Sequence, residues 1–142
     1  MKTTFPKVAD LDRQREWHHI DAKGKVLGRL ASGVAMILMG KLKVIWSPHL
    51  DTGDFVIVTN AQDIKLTGKK LAQKQYFSHS GYPDGAKLTS VKKLMAERPE
   101  RVIKLAVQRM LPKTTLGSKM LTRLKIYSAD KHPHASQQPK QK

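Results

Sequence analysis

The chain of 142 residues contains no cysteine. That excludes a disulfide framework, a thiolate metal site and a cysteine nucleophile, and it suits a reducing compartment. Long apolar runs are also missing. The longest stretch, 26–39, is interrupted by Gly28, Arg29 and Gly33 and falls short of the roughly 20 residues that span a bilayer. Residues 1–12 carry no apolar core of the secretory kind. The expectation is a soluble, cytoplasmic chain, with no membrane among its partners. Acidic residues are scarce as well, and this scarcity carries the most information. Eleven Asp and Glu stand against twenty-seven Lys and Arg, a formal net charge of +16.

A folded monomer with so much positive charge repels itself. A polyanion relieves that repulsion, and nucleic acid is the densest polyanion in a cell. The charge is also segregated. Residues 44–64 hold no Lys or Arg but include Asp51, Asp54 and Asp63. Residues 85–127 hold eleven basic residues against Glu97 and Glu100. One region reads as built to fold, the other to meet a polyanion.

At 16.0 kDa the chain fits one domain with a real core. Residues 1–14 read as an N-terminal arm, 15–127 as the domain and 128–142 as an extended basic tail, mobile until a polyanion orders it. Residues 17–22 predict a strand, and 22–25 a turn. Leu27, Leu30, Ala31, Val34 and Leu38 recur at helical spacing, with Gly40 as the stop. Gly28 and Gly33 weaken that helix by about 1 kcal/mol each, which points to close packing against a sheet or a ligand. The continuous apolar run 55–58 predicts a strand buried on both faces of a parallel sheet. Residues 64–66 and 74–78 read as further strands, 80–86 as a loop, and 126–127 as a last strand. Thr89 or Ser90 caps a short helix, and Pro99 opens a second one. Thr115 or Gly117 precedes a third. Alternating strands and helices predict an α/β domain.

Catalytic readings find little support. Gly24 to Arg29 lacks the ending of a phosphate loop and the three glycines of a dinucleotide site. It reads better as a helix start where Lys23, Lys25 and Arg29 meet a backbone phosphate. The six histidines are scattered, so no metal site is expected, although Asp51 and Asp54 could add carboxylates. Ser78, His79 and Ser80 are merely adjacent and form no nucleophile elbow. Trp17 and Phe77 read as core, while Trp46 and Tyr82 lie beside loops where they could stack on nucleotides. The basic loops are the stronger signal. They carry Lys41, Lys43, Lys69, Lys70, Lys87, Lys113, Lys119, Arg123 and Lys125, joined by His49, His79, His132 and His134 as base-stacking or phosphate-donating groups. No helix-turn-helix, finger or aromatic RNA-recognition motif is present.

Several strings then fall into one order. Trp17, Ile20, Asp21, Ala22, Gly24, Lys25, Leu27, Gly28 and Arg29 form the first. Pro48-His49, Asp51-Thr52-Gly53-Asp54 and Asn60-Ala61 form the second. Thr67-Gly68-Lys69-Lys70, His79-Ser80-Gly81-Tyr82-Pro83, Met110-Leu111-Pro112-Lys113 and His132-Pro133-His134 follow. Together they resemble the bacterial-type large-subunit ribosomal protein thirteen family, from about Trp17 to Pro139. The resemblance implies a three-layer α/β/α domain with a four-stranded, mostly parallel sheet. It implies a structural protein that binds large-subunit ribosomal RNA beside neighbouring ribosomal proteins and supports early assembly. No reaction, cofactor or small-molecule substrate is implied. Arg109 and Asp84 stand where the family usually has Gly, Leu42 where it has His or Arg, Ala86 where it has Leu, and Ala129 where it has Gly.

Overall fold

The computed structural model describes residues 6–7, 11 and 13–141. In chain order the main elements are β1 (Trp17–Asp21), α1 (Leu27–Met39), β2 (Phe55–Thr59), α2 (Lys70–Gln73), β3 (Gln75–His79) and β4 (Ala86–Ser90). They are followed by α3 (Val91–Glu97), α4 (Pro99–Met110), α5 (Thr115–Thr122), β5 (Leu124–Ile126) and β6 (Lys140–Gln141).

Four strands form a parallel sheet in the order β5-β2-β1-β6. Parallel neighbours need a crossover, and α1 supplies it between β1 and β2. Val56, Ile57 and Val58 in the central strand are all fully buried, which explains why that strand reads as one apolar run. Successive strand residues point to opposite faces. Ile20, Val56, Val58, Leu124 and Ile126 therefore face the helices. There they meet Leu30, Val34 and Leu38 of α1, Val91 and Leu94 of α3, and Val102, Ile103 and Val107 of α4. Each such fully buried side chain stabilises the fold by about 1.5–3 kcal/mol. The α/β fold with a four-stranded parallel sheet is thus the observed one.

The opposite face carries Trp17, His19, Phe55, Ile57 and Lys125. Trp17 stacks on Phe55 with ring centroids 4.3 Å apart. Its cover is the chain after β5. His134 lies 5.2 Å from Trp17, and His132 5.2 Å from His19. The Tyr127 hydroxyl and His134 Nε2 are hydrogen-bonded at 2.8 Å. Residues 128–141 therefore do not extend away from the domain. They include a 3₁₀ turn (Ala135–Gln137) and return as β6, which pairs His18 with Lys140. Lys140 Nζ also bonds Glu16 Oε1 at 2.7 Å, a contact that holds the Glu16 carboxyl below its usual range. Large apolar residues are thus not the only cover the sheet uses: imidazole rings cap the aromatic pair, and an edge strand needs only backbone.

Three other expectations are corrected. Residues 64–66 make only an isolated bridge, Val26 to Lys65. β3 does not join the main sheet but pairs antiparallel with β4, which starts inside the expected loop. A Cβ placed at Gly28 or Gly33 would meet nothing within 4 Å, so internal close packing does not explain those glycines. The caps are closer to expectation. Gly40 adopts φ +73°, and Ser90 Oγ accepts from Lys93 N at 3.3 Å. Thr114, one residue earlier than expected, caps α5.

Candidate nucleic-acid interface

The carboxylates of the loop between α1 and β2 are spent on the fold. Asp54 is buried and accepts from the Glu16 N–H at 3.0 Å and from Lys43 Nζ at 2.5 Å, with His18 Nε2 at 3.2 Å. Asp51 pairs with both Nη groups of Arg123, and Arg15 lies 3.5 Å away. Arg123 Nη2 also donates to the Leu38 carbonyl at 3.0 Å, closing the C-terminal end of α1. Gly53 makes the crossing possible, because a Cβ there would sit 1.7 Å from the Leu38 oxygen. Asp51 and Asp54 are therefore held by cations rather than poised as acid and base. Among the described residues no group of three or more His, Asp or Glu side chains could hold a metal ion.

This network sorts the expected contact residues. Arg123 is only 4% exposed and is committed to Asp51, so it presents no guanidinium to a partner. Lys43 is half-buried against Asp54 and also donates to the Gln14 carbonyl at 3.2 Å. His132 and His134 are half-buried in the aromatic layer. The remaining positions lie at the surface. Lys23, Lys25 and Arg29 surround the turn from β1 into α1, where Gly24 adopts φ +70°. In that turn Asp21 accepts from the Lys23 N–H at 2.9 Å and from Asn60 Nδ2 at 2.8 Å. These bonds hold its carboxyl below the usual carboxylate range. Lys41, His49, Lys69, Lys70, His79, Lys87, Lys113 and Lys119 are exposed, and Lys125 is half-buried on β5. No acidic residue occupies the first turn of α1, and no side chain caps it. Leu27 N–H donates to the Lys65 carbonyl at 3.0 Å, and the rest of the helix N-terminus leaves partial positive charge beside Lys25 and Arg29.

A dense basic surface lies on two clefts that flank α4. One, of about 390 Å³, opens between the hairpin and the helices and is lined by Lys87, Lys93, Arg98, Arg101 and Arg109. The other, of about 550 Å³, shares Arg98 and Arg101 and continues over Lys104 to Lys125. Among the described residues that line these clefts, seven cations thus stand against two carboxylates, Glu97 and Glu100. Glu97 is 3.8 Å from Lys93, and Glu100 accepts from Ser128. Only Lys87 and Lys125, one in each cleft, were expected from the sequence. The signal for the others was present: positions 101 and 104 share one side of α4, opposite the stripe of Val102, Ile103 and Val107, with Arg98 just before it.

The family model described as ribosomal protein L13 matches residues 15–133. This chain belongs to the ribosomal protein L13 family. The large ribosomal subunit protein uL13 of Dictyoglomus thermophilum is 58% identical over 141 residues, covering 99% of this chain and 98% of that protein. The uL13 proteins of Roseiflexus sp. and Thermotoga maritima are 56% and 54% identical, covering 99% and 97% of this chain and 94% and 91% of their own lengths. Two positions noted as departures in the resemblance gain meaning in the structure. Arg109 places its guanidinium 5.4 Å from the Tyr76 ring centroid, adding a cation to the smaller cleft. Asp84 sits at φ +57°, a conformation that Gly adopts freely and Asp tolerates.

Proposed function

We infer that this chain is a structural constituent of the large ribosomal subunit. On this reading it binds large-subunit ribosomal RNA, stands beside neighbouring ribosomal proteins, supports early assembly, and works in the cytoplasm as a scaffold rather than an enzyme. The family match and the names of the full-length relatives support residence in the large subunit. One observation carries the RNA contact: seven cations converge on two adjoining clefts whose two carboxylates cannot balance them. The α/β core sets those cations in place, and phosphates supply the missing negative charge.

The contact set proposed is Lys87, Lys93, Arg98, Arg101, Lys104, Arg109 and Lys125. Lys23, Lys25, Arg29, Lys41, Lys69, Lys70, Lys113 and Lys119 extend it. Arg123, Lys43, His132 and His134 leave it, because their polar groups serve the fold. Binding to a large-subunit ribosomal RNA fragment tests the proposal. With about six to ten phosphates contacted, affinity falls some 10³- to 10⁵-fold between 50 and 200 mM salt. A flat salt response overturns it. Co-sedimentation with large subunits after a high-salt wash separates stable residence from transient contact.

A further inference from the structure

The β3–β4 hairpin has two unlike faces. Tyr76 points inward and is 7% exposed, packed under Arg109. The outward face presents Phe77 paired directly with Leu88 across the strands. Phe77 is 63% exposed and Leu88 67%, so Phe77 is not the core residue its composition implied. At the tip Tyr82 is 76% exposed. The loop that carries it is closed on itself: Ser80 N–H donates to the Gly85 carbonyl at 3.2 Å, and Gly85 N–H to the Tyr82 carbonyl at 3.0 Å. Gly81 N–H is held by His79 Nδ1 at 2.9 Å. A Cβ at Gly85 would lie 2.8 Å from the Tyr82 carbonyl oxygen, a backbone atom, so the turn requires glycine there. A fixed loop therefore displays an aromatic ring to solvent, beside an apolar cross-strand pair.

The charge of the segment that carries this surface selects its occupant. Residues 69–93 hold six lysines and one acid, Asp84. A second copy of the chain would bring another +16 against it. Phe77, Leu88 and Tyr82 also make a patch smaller than the roughly 800 Å² per partner of a stable protein interface. Unpaired nucleotides fit both features. Their bases stack on aromatic and apolar side chains while their phosphates meet lysines, and RNA is recognised largely at such unstacked positions.

We propose that the outer face of the hairpin, Phe77 with Leu88 and the Tyr82 ring at the tip, takes unpaired bases of an RNA loop or bulge. This rests on the RNA-binding reading above and adds the class of RNA bound there: single-stranded nucleotides, not continuous duplex. The test uses a single-stranded 12-nucleotide RNA carrying 2-aminopurine and a 12-base-pair RNA duplex, with the large-subunit ribosomal RNA fragment as reference. The full chain is expected to quench 2-aminopurine in the single strand. Phe77→Ala and Tyr82→Ala each weaken single-strand binding by roughly 5- to 150-fold, the stacking contribution of one base. They leave the duplex affinity and the salt slope unchanged, and Phe77→Trp restores binding. Lys87→Gln, which alters the cleft on the hairpin's other face, instead lowers the salt slope for the ribosomal RNA fragment by about 0.7. Both side chains are exposed, so unchanged thermal unfolding verifies that the variants fold. Single-strand binding within twofold of wild type in both aromatic variants overturns the stacking proposal and leaves RNA binding standing. So does intact RNA binding combined with loss of the Phe77→Ala protein from reconstituted subunits, which would assign the face to a protein neighbour. Failure of the wild-type chain to bind the ribosomal RNA fragment overturns the underlying reading instead.

Discussion

Replacing Arg123 with Ala separates a structural cation from a phosphate-binding one. The side chain is 4% exposed, bonds Asp51 through both Nη groups, and closes the Leu38 carbonyl at the end of α1. Removing one partner of a buried ion pair costs about 3–5 kcal/mol, chiefly because the other charge is stranded. Asp51 keeps Arg15 at 3.5 Å and is 19% exposed, so the lower end applies, about 3 kcal/mol. The orphaned Leu38 carbonyl brings the expected loss to about 3–4 kcal/mol. For a domain of this size that lowers Tm by about 10–15 °C. Urea unfolding should show a lower midpoint with an unchanged slope. Asp51→Asn and the double variant should give a coupling energy of about 1–3 kcal/mol. Below its unfolding temperature the variant should bind ribosomal RNA with the wild-type salt slope, because the lost charge was internal. A stability change under about 1 kcal/mol, or a salt slope shallower by about one phosphate contact, would refute this reasoning and return Arg123 to the surface.

Gly53→Ala should destabilise by several kcal/mol, about 3 or more, since its Cβ would collide with the Leu38 carbonyl, a backbone atom that cannot step aside; calorimetry checks this. Tyr76→Phe should be neutral or stabilising by up to about 1 kcal/mol, because the buried hydroxyl has no hydrogen-bond partner among the described residues. Burial raises the Tyr76 phenol above its ordinary value, with Arg109 opposing in part. The stability tied to the neutral phenol is full below the unfolded value, about pH 10, and is lost as pH rises through the folded one. Urea midpoints at pH 8 and 11 should therefore converge more closely in the Phe variant than in wild type. Asp84→Gly should tighten RNA binding and leave the fold intact, as it removes a like-sign clash with phosphate at a left-handed position; titration at fixed salt measures it.

Much of the domain was legible because it depends on local pattern. The apolar run 55–58, the helical spacing from Leu27 to Leu38, and the Gly40 and Pro99 boundaries record burial and backbone geometry residue by residue. Net charge announced a polyanion without any coordinates, and the ordered strings identified the family. The tertiary structure decided how the parts were used. Asp51 and Arg123 are 72 residues apart, so no window of sequence shows that one consumes the other. Phe77 reads like a core residue and stands in solvent, because β3 pairs with β4 outside the main sheet. Residues 128–141 lack aliphatic bulk, yet they fold back because rings and backbone partners wait on β1. The chain thus set the amount of positive charge by itself. Which cations face outward was settled only when the fold brought distant carboxylates to some of them and left the clefts around α4 without enough.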